Sequence, residues 1–350
     1  MNVHPLRRRL AAKCMRLLFG DRTTVESARA SLPTRGVFRI LIVRVSHSLG
    51  NTLMMTPLIR EIEATYPGAE IELVTRSQVG KDVFGSFPSV ARIHQLPGWG
   101  LSHPWQILGM LRRIRRNRYD LVIDPSPTSQ TDRLMALWAR GRFTLGFANE
   151  KKAGSISHAV PLPTTTRHIG QLPIVLLRHA CGSATIGAFP TIDLALTRAE
   201  REQGAATLSR LVGNTGQMKG VIGIFANASG NKFLGGTWWK RFVDVLEPRF
   251  EGYSFVEIVP ASGVSLLESR HPAYYSGDIR KLCGVLSALT MYISCDCGVM
   301  HLASASGTPT VGIFTATDPA EWGPYGTRDQ VIRAFELTAE QAAQQVGDQT

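Results

Sequence analysis

Three short loops in this sequence carry the residue types that could do chemistry. The first is Ser294-Cys-Asp-Cys-Gly-Val-Met-His301, where Asp296, Gly298 and His301 crowd into eight positions. An apolar run, Met291 to Ser294, precedes it, and a helix pattern opens at Gly298. Free N–H groups at a helix start, helped by the helix dipole, make an anion site. Gly298 would let a phosphate come close to the backbone. Asp296 could accept from local N–H groups or ligand hydroxyls, and His301 could donate to a phosphate oxygen. By residue type alone, a helix cap at Asp296 and a satisfied core histidine at His301 fit equally well.

The second loop is Ala226-Asn-Ala-Ser-Gly-Asn-Lys232. Its small residues, Ser229 and Gly230 among them, suit a wrap around a ligand. Lys232 supplies a mobile positive charge for phosphate. Trp238 and Trp239 follow, and tryptophans at such spacing favour packing over ligand stacking. The third loop is Ser46-His-Ser-Leu-Gly-Asn51, with hydroxyls, an imidazole (His47) and an amide (Asn51), but no carboxylate. Asp124 ends a strand pattern on the same rim. Glu257 and Asp278 are further acids near element ends in the second half.

Each loop follows a short apolar run and precedes a helical period. That order places them at the carboxyl ends of buried parallel strands, where α/β sheets bind ligands. In the first half the pattern gives strands at 39–45, 70–74 and 119–124, with helices through Thr65, at 107–116 and at 131–140. Ile192-Asp-Leu-Ala-Leu196 reads as a strand leading into a charged helix at 198–211. Alternation then restarts, with strands at 220–225, 254–259, 291–294 and 310–314 and helices at 237–249, 278–288 and 298–306. Two alternating halves in 350 residues predict two Rossmann-like domains facing a cleft. The expected layout is a basic extension and linker over 1–36, an N-terminal domain over 37–195, a C-terminal domain over 196–340 and a tail over 341–350.

With 44% hydrophobic and 19% charged residues, the composition is globular rather than disordered. A formal net charge of +12 favours anionic partners: nucleic acid, an acidic membrane surface or a phosphorylated substrate. Arg112, Arg113, Arg115, Arg116 and Arg118 lie near a helix C-terminus, where cations are favoured. No aromatic platform or DNA-reading motif accompanies them, so no nucleic-acid partner is expected. Five cysteines in no framework spacing fit a reducing cytoplasm. Cys295 and Cys297 alone are too few for zinc. No apolar run approaches the roughly 20 residues needed to span a bilayer. Arg7, Arg8, Arg9, Lys13 and Arg16 face Leu6, Leu10, Leu17 and Leu18 on a helical period. They make a poor signal-peptide core, and fit either a solvated helix or one resting on anionic lipid.

Across these segments the chain resembles glycosyltransferase family 9, the ADP-heptose:lipopolysaccharide heptosyltransferases. The resemblance runs from about Arg39 to Gly326. It rests on Arg44-Val-Ser-His-Ser-Leu-Gly-Asn-Thr-Leu-Met-Met-Thr-Pro57, on Tyr119-Asp-Leu-Val-Ile-Asp124 and on the Lys232 loop. Its most specific part is Asp296-Cys-Gly-Val-Met-His-Leu-Ala303, followed by Gly307-Thr-Pro309 and Phe314-Thr-Ala-Thr317. The family pattern there is Asp, Ser or Thr, Gly, two residues, His, and Cys297 is the one departure. The resemblance implies a GT-B architecture and an inverting transfer with no metal and no cofactor. The implied donor is a nucleotide sugar such as ADP-heptose, bound by the C-terminal domain through Lys232, Ser229, Asp296, Gly298 and His301. The implied acceptor is a lipid-linked glycan, met from the cytoplasm at the inner face of the membrane.

The family's general base is an aspartate just after the N-terminal glycine. Here that position is Asn51. An amide cannot take a proton at neutral pH, so His47 and Asp124 are the substitutes to consider, with Asn51 orienting the acceptor. A non-catalytic sugar-nucleotide binder and a sugar-nucleotide epimerase of the same architecture are the alternatives.

Overall fold

The computed structural model describes residues 31–97, 104–149, 152, 155–184, 187–213 and 218–347. The basic N-terminal segment therefore lies outside the described residues. The chain divides into two compact units, Met1–Pro190 and Thr191–Thr350.

In the first unit the strands are β1 (Arg39–Arg44), β2 (Glu70–Thr75), β3 (Val90–Gln95), β4 (Leu121–Asp124), β5 (Phe143–Phe147) and β6 (His158–Val160). Between and after them lie α1 (Leu49–Leu53), α2 (Thr56–Thr65), α3 (Gly80–Phe84), α4 (Pro104–Arg116), α5 (Gln130–Ala139) and α6 (Leu172–Ala180). All described strand pairs are parallel, in the order β3-β2-β1-β4-β5-β6. Ile40, Leu41, Ile42 and Val43 are fully buried, as a run of branched apolar residues requires when helices cover both faces. Pro57 sits in the first turn of α2, where its missing N–H costs nothing. The expected single helix through Thr65 is thus two helices, broken at Met54–Met55.

The second unit repeats the plan. Its strands are β7 (Gly220–Phe225), β8 (Tyr253–Ile258), β9 (Ala273–Tyr274), β10 (Met291–Cys295), β11 (Thr310–Phe314) and β12 (Gln330–Arg333). Its helices are α7 (Arg198–Val212), α8 (Gly236–Arg249), α9 (Ile279–Leu286), α10 (Gly298–Ala305), α11 (Pro319–Trp322) and α12 (Ala339–Gln345). The order β12-β11-β10-β7-β8-β9 is again all parallel among the described pairs. Counted within each unit, both sheets run 3-2-1-4-5-6. This is the doubly wound order whose direction reverses between its first and fourth strands. Ligand loops belong at that reversal, after β1 and β4 in one unit and after β7 and β10 in the other.

Two expectations are corrected. Ile192–Leu196 is not a strand. Ala195 adopts a left-handed backbone (φ 47°) and Leu194 donates its N–H to Ala305 O at 3.2 Å, so the segment is pinned as a connection instead. The expected tail over 341–350 begins inside α12. Ala342, Ala343 and Val346 are fully buried with Trp239, Phe242 and Leu246 of α8 in one core. Packing of α7 on α9 depends on glycine, because a Cβ on Gly204 would meet the Gly284 carbonyl carbon at 2.0 Å.

Candidate functional site

At the reversal of the second unit, the first loop after β7 ends in a 3-10 turn, Gly230–Lys232. That turn aims Lys232 at the loop after β10. Lys232 Nζ lies 2.6 Å from Asp296 Oδ2, although 64 residues separate them. Thr317, just beyond β11, donates its hydroxyl to the same oxygen. His301 Nε2 stands 4.0 Å from Asp296 Oδ1. Three loops, one after each of the adjacent strands β7, β10 and β11, therefore converge on one carboxylate. The Asp296 side chain is 5% exposed and that of Lys232 is 28% exposed, so the pair is wet on the lysine side only.

Asp296 is not the cap of α10. That position is Cys297, whose side chain makes no capping hydrogen bond. Burial pushes the Cys297 thiol up, so it stays protonated and contributes no charge. The Val299 and Met300 N–H groups of the first turn of α10 face the Cys297 sulfur, a weak acceptor that an anion would outcompete. Gly298 is half-buried at its start, and Gly307 closes the helix with φ 86°. Ser229 is exposed beside the 3-10 turn. The arrangement offers an anion a helix start and a neighbouring ammonium, with the buried His301 imidazole (3% exposed) behind them. Asp296 fixes the ammonium from behind. Trp239 is fully buried and Trp238 stacks on Phe242 at 5.3 Å, so both pack the core. Glu257 holds its own following loop through Ser265 Oγ and Leu266 N, and Asp278 caps α9.

The equivalent place in the first unit is built differently. Ser48 caps α1, and Asn51 donates its side-chain amide to Ser48 Oγ at 2.7 Å. Asn51 Oδ1 accepts from Arg44 Nη2 at 2.9 Å. Arg44 also reaches Asp132 Oδ2 at 3.3 Å, and Val45 N–H donates to Asp132 Oδ1 at 3.0 Å. Asp132 is fully buried, and that burial pushes its carboxyl up against the opposing pull of Arg44. Asn51 is thus held by an arginine that is itself held by a hidden acid. His47 is exposed on the same loop.

Asp124 is corrected as a base candidate. It is fully buried, and its Oδ2 accepts from Arg133 Nε at 2.8 Å and Lys152 Nζ at 2.6 Å. Lys152 also donates to Ser126 O at 2.5 Å. Burial pulls the Lys152 ammonium down, opposed by Asp124. A carboxylate committed to two cations, with no exposed surface, holds its loop and does not meet an acceptor hydroxyl. Among the described residues no group of three or more His, Cys, Asp or Glu is arranged to hold a metal.

Comparison with known proteins bears on the same segment. Residues 278–349 match the model of glycosyltransferase family 9 (heptosyltransferase). That stretch contains Asp296, Gly298, His301 and Thr317, but not Lys232. The family 9 glycosyl transferase of Veillonella parvula superposes with a TM-score of 0.73, at 18% identity, over 86% of this chain and 87% of that one. The fold is that of a family 9 glycosyltransferase. The E. coli heptosyltransferase WaaC with ADP superposes with a TM-score of 0.65 at 18% identity, covering 87% of this chain and 96% of WaaC. A curated relative, the lipopolysaccharide core heptosyltransferase OpsX of Haemophilus influenzae, is 29% identical over 63 residues. Those residues are 18% of this chain and 18% of the relative's own length. The resemblance read in the sequence, and the GT-B fold it implied, are borne out.

Sequence reading missed Thr317 as a site residue, although it stood in the quoted Phe314-Thr-Ala-Thr317. It also missed Arg44, Asp132, Arg133 and Lys152. Arg44 and Asp132 each lie directly beside a named candidate loop or helix start, which is the one signal that pointed to them.

Proposed function

We propose that the protein is a glycosyltransferase that moves a heptose, or a similar sugar, from an ADP-sugar to a lipopolysaccharide core or related surface glycan. The observation that carries this is the convergence of Lys232, Thr317 and His301 on Asp296 at the start of α10. It lies inside the segment that matches the family model. A structural relative supports the donor class, since E. coli heptosyltransferase WaaC is described with ADP and with ADP-2-deoxy-2-fluoro heptose.

In this reading the donor diphosphate lies on the first turn of α10. Lys232 and His301 offset charge that grows on the departing ADP, which is the largest lever such a site has. The transfer inverts the anomeric carbon and needs no metal, because the ammonium and the helix start take the cation's place. The acceptor hydroxyl loses its proton to His47, with Asn51 orienting the acceptor from its fixed position. The acceptor is lipid-linked and is met at the inner face of the membrane. No helix among the described residues is long and apolar enough to cross a bilayer, which is consistent with contact from one side.

The test is incubation of the protein with ADP-heptose and other nucleotide sugars plus a truncated core lipid, read by mass spectrometry. The expected result is ADP release with one heptose added to the lipid. One observation favours a second reading: Asn51 has its carbonyl engaged by Arg44 and carries no carboxylate. Donor binding with no ADP release across a panel of acceptors would establish a non-catalytic binder instead. A changed donor with no acceptor present would mark an epimerase.

A further inference from the structure

The most exposed large apolar side chain recorded among the described residues is Trp105, at 81%. It stands in the first turn of α4, a 13-residue helix about 20 Å long. Helical spacing puts Trp105, Gly109, Arg112 and Arg116 on one stripe, at steps of four, three and four. Ile114, the one buried residue of α4, lies on the opposite face. The inner side is settled by packing. Trp138 of α5 donates its indole N–H to Leu111 O at 3.1 Å, and the Arg115 guanidinium stacks on the Trp138 ring at 4.7 Å. Among the described residues nothing is recorded packing on the outer stripe. Arg112, Arg113, Arg116 and Arg118 are all exposed, and the segment 104–118 contains no acid.

A free guanidinium cluster and a bare indole on one stripe have matched requirements. Indoles favour the level of lipid headgroups, and arginines there pair with anionic phosphates. A helix with a cationic outer face and an aromatic at one end lies flat in that plane. Nucleic acid fits less well, since a lone tryptophan at the far end of the helix gives no stacking platform between the arginines.

We propose that the outer stripe of α4 is a docking surface for an anionic lipid bilayer, with Trp105 inserted among the headgroups, Arg112 and Arg116 on their phosphates, and the exposed Arg113 and Arg118 flanking them. This deepens the membrane contact of the proposed function. Its test needs no turnover, so failure to bind lipid and failure to transfer sugar are separate results.

The experiment is co-sedimentation of the full chain with phosphatidylglycerol–phosphatidylcholine vesicles, against phosphatidylcholine alone, at low and high salt. Wild type is expected to bind only the anionic vesicles and to release in salt. An arginine near such a surface is worth about fivefold in affinity, so R112A/R116A should bind roughly twentyfold more weakly. W105A should bind more weakly than wild type even at low salt, where the arginine contacts are strongest. Circular dichroism melting of both variants should match wild type, because neither site packs inward. Vesicle binding unchanged in both variants would overturn the proposal and leave the first 30 residues as the lipid contact. Tight duplex DNA binding that competes with vesicles and survives W105A would overturn it in favour of nucleic acid.

Discussion

The two units share one strand order but treat the charges at its reversal point in opposite ways. After β7 and β10, the Asp296 carboxylate faces a lysine that remains 28% exposed. At the end of β4, the Asp124 carboxylate faces Arg133 and Lys152, exposed by 3% and not at all. The topology that leaves a partly exposed ion pair in one unit builds a buried brace in the other. Strand order puts acids and cations together at both places. Access of water decides which pair is available to a ligand. In the first unit the accessible groups are displaced to the loop after β1, where His47 is exposed and Asn51 is fixed by Arg44 and Ser48.

The largest effect that sharpens this contrast is on stability. Asp124→Ala leaves two buried cations without their acid and should cost about 3–5 kcal/mol in urea unfolding. A stably folded Asp124→Ala protein that has lost turnover would break the contrast and return Asp124 to the site. Next comes His47→Ala. In the proposed mechanism His47 takes the acceptor's proton, so turnover should fall about 10²-fold with ADP affinity unchanged. Turnover within twofold of wild type would remove His47 as the base.

Legibility in the sequence followed the same division. The central strands were readable because burial on both faces writes continuous apolar runs, and β7 and β11 fall on the expected residues. The edge strands β3, β6, β9 and β12 were not, because short or half-exposed strands such as Val-Ala-Arg-Ile-His-Gln95 carry no such run, and the interior β5 was missed too, its Phe-Thr-Leu-Gly-Phe147 run being broken by Thr144 and Gly146. Asp296 and Lys232 were readable as separate candidates from their loops. Their pairing was not, since nothing local links positions 64 residues apart. Lys152 shows the limit most clearly. Its surroundings in sequence are a polar loop, and only the fold makes it a fully buried partner of Asp124.

Lys232→Ala tests the wet half of the comparison. In the proposed donor site it removes one charged contact to the diphosphate, worth about 1.5–3 kcal/mol, so ADP should bind roughly ten- to hundredfold more weakly by calorimetry. Thr317 still donates to Asp296, so the melting temperature should move far less than for Asp124→Ala. A variant that binds ADP normally but melts as far below wild type as Asp124→Ala would make Lys232–Asp296 a second brace.

The smallest effect separates the units by pH. In the second unit Glu200 is the third residue of α7 in a capping box with Thr197, and Arg280 of α9 donates to its two carboxylate oxygens from Nε and Nη2. The Arg280 bonds, against burial and helped by the Thr197 N–H, hold its carboxyl down at about 2, from an ordinary 4.5. A depressed folded value contributes stability that is complete above the unfolded value and lost as pH falls through the folded one. The window is therefore about pH 4.5 to 2. The side chain is 26% exposed, so screening reduces the contribution to about 1–2 kcal/mol. Asp132 in the first unit has the opposite sign, because burial raises its carboxyl and acid then favours the folded form through that group. Unfolding free energy measured down this window should fall less steeply in Glu200→Gln than in wild type. Parallel curves would show that the Arg280 clasp between α7 and α9 contributes nothing that titrates.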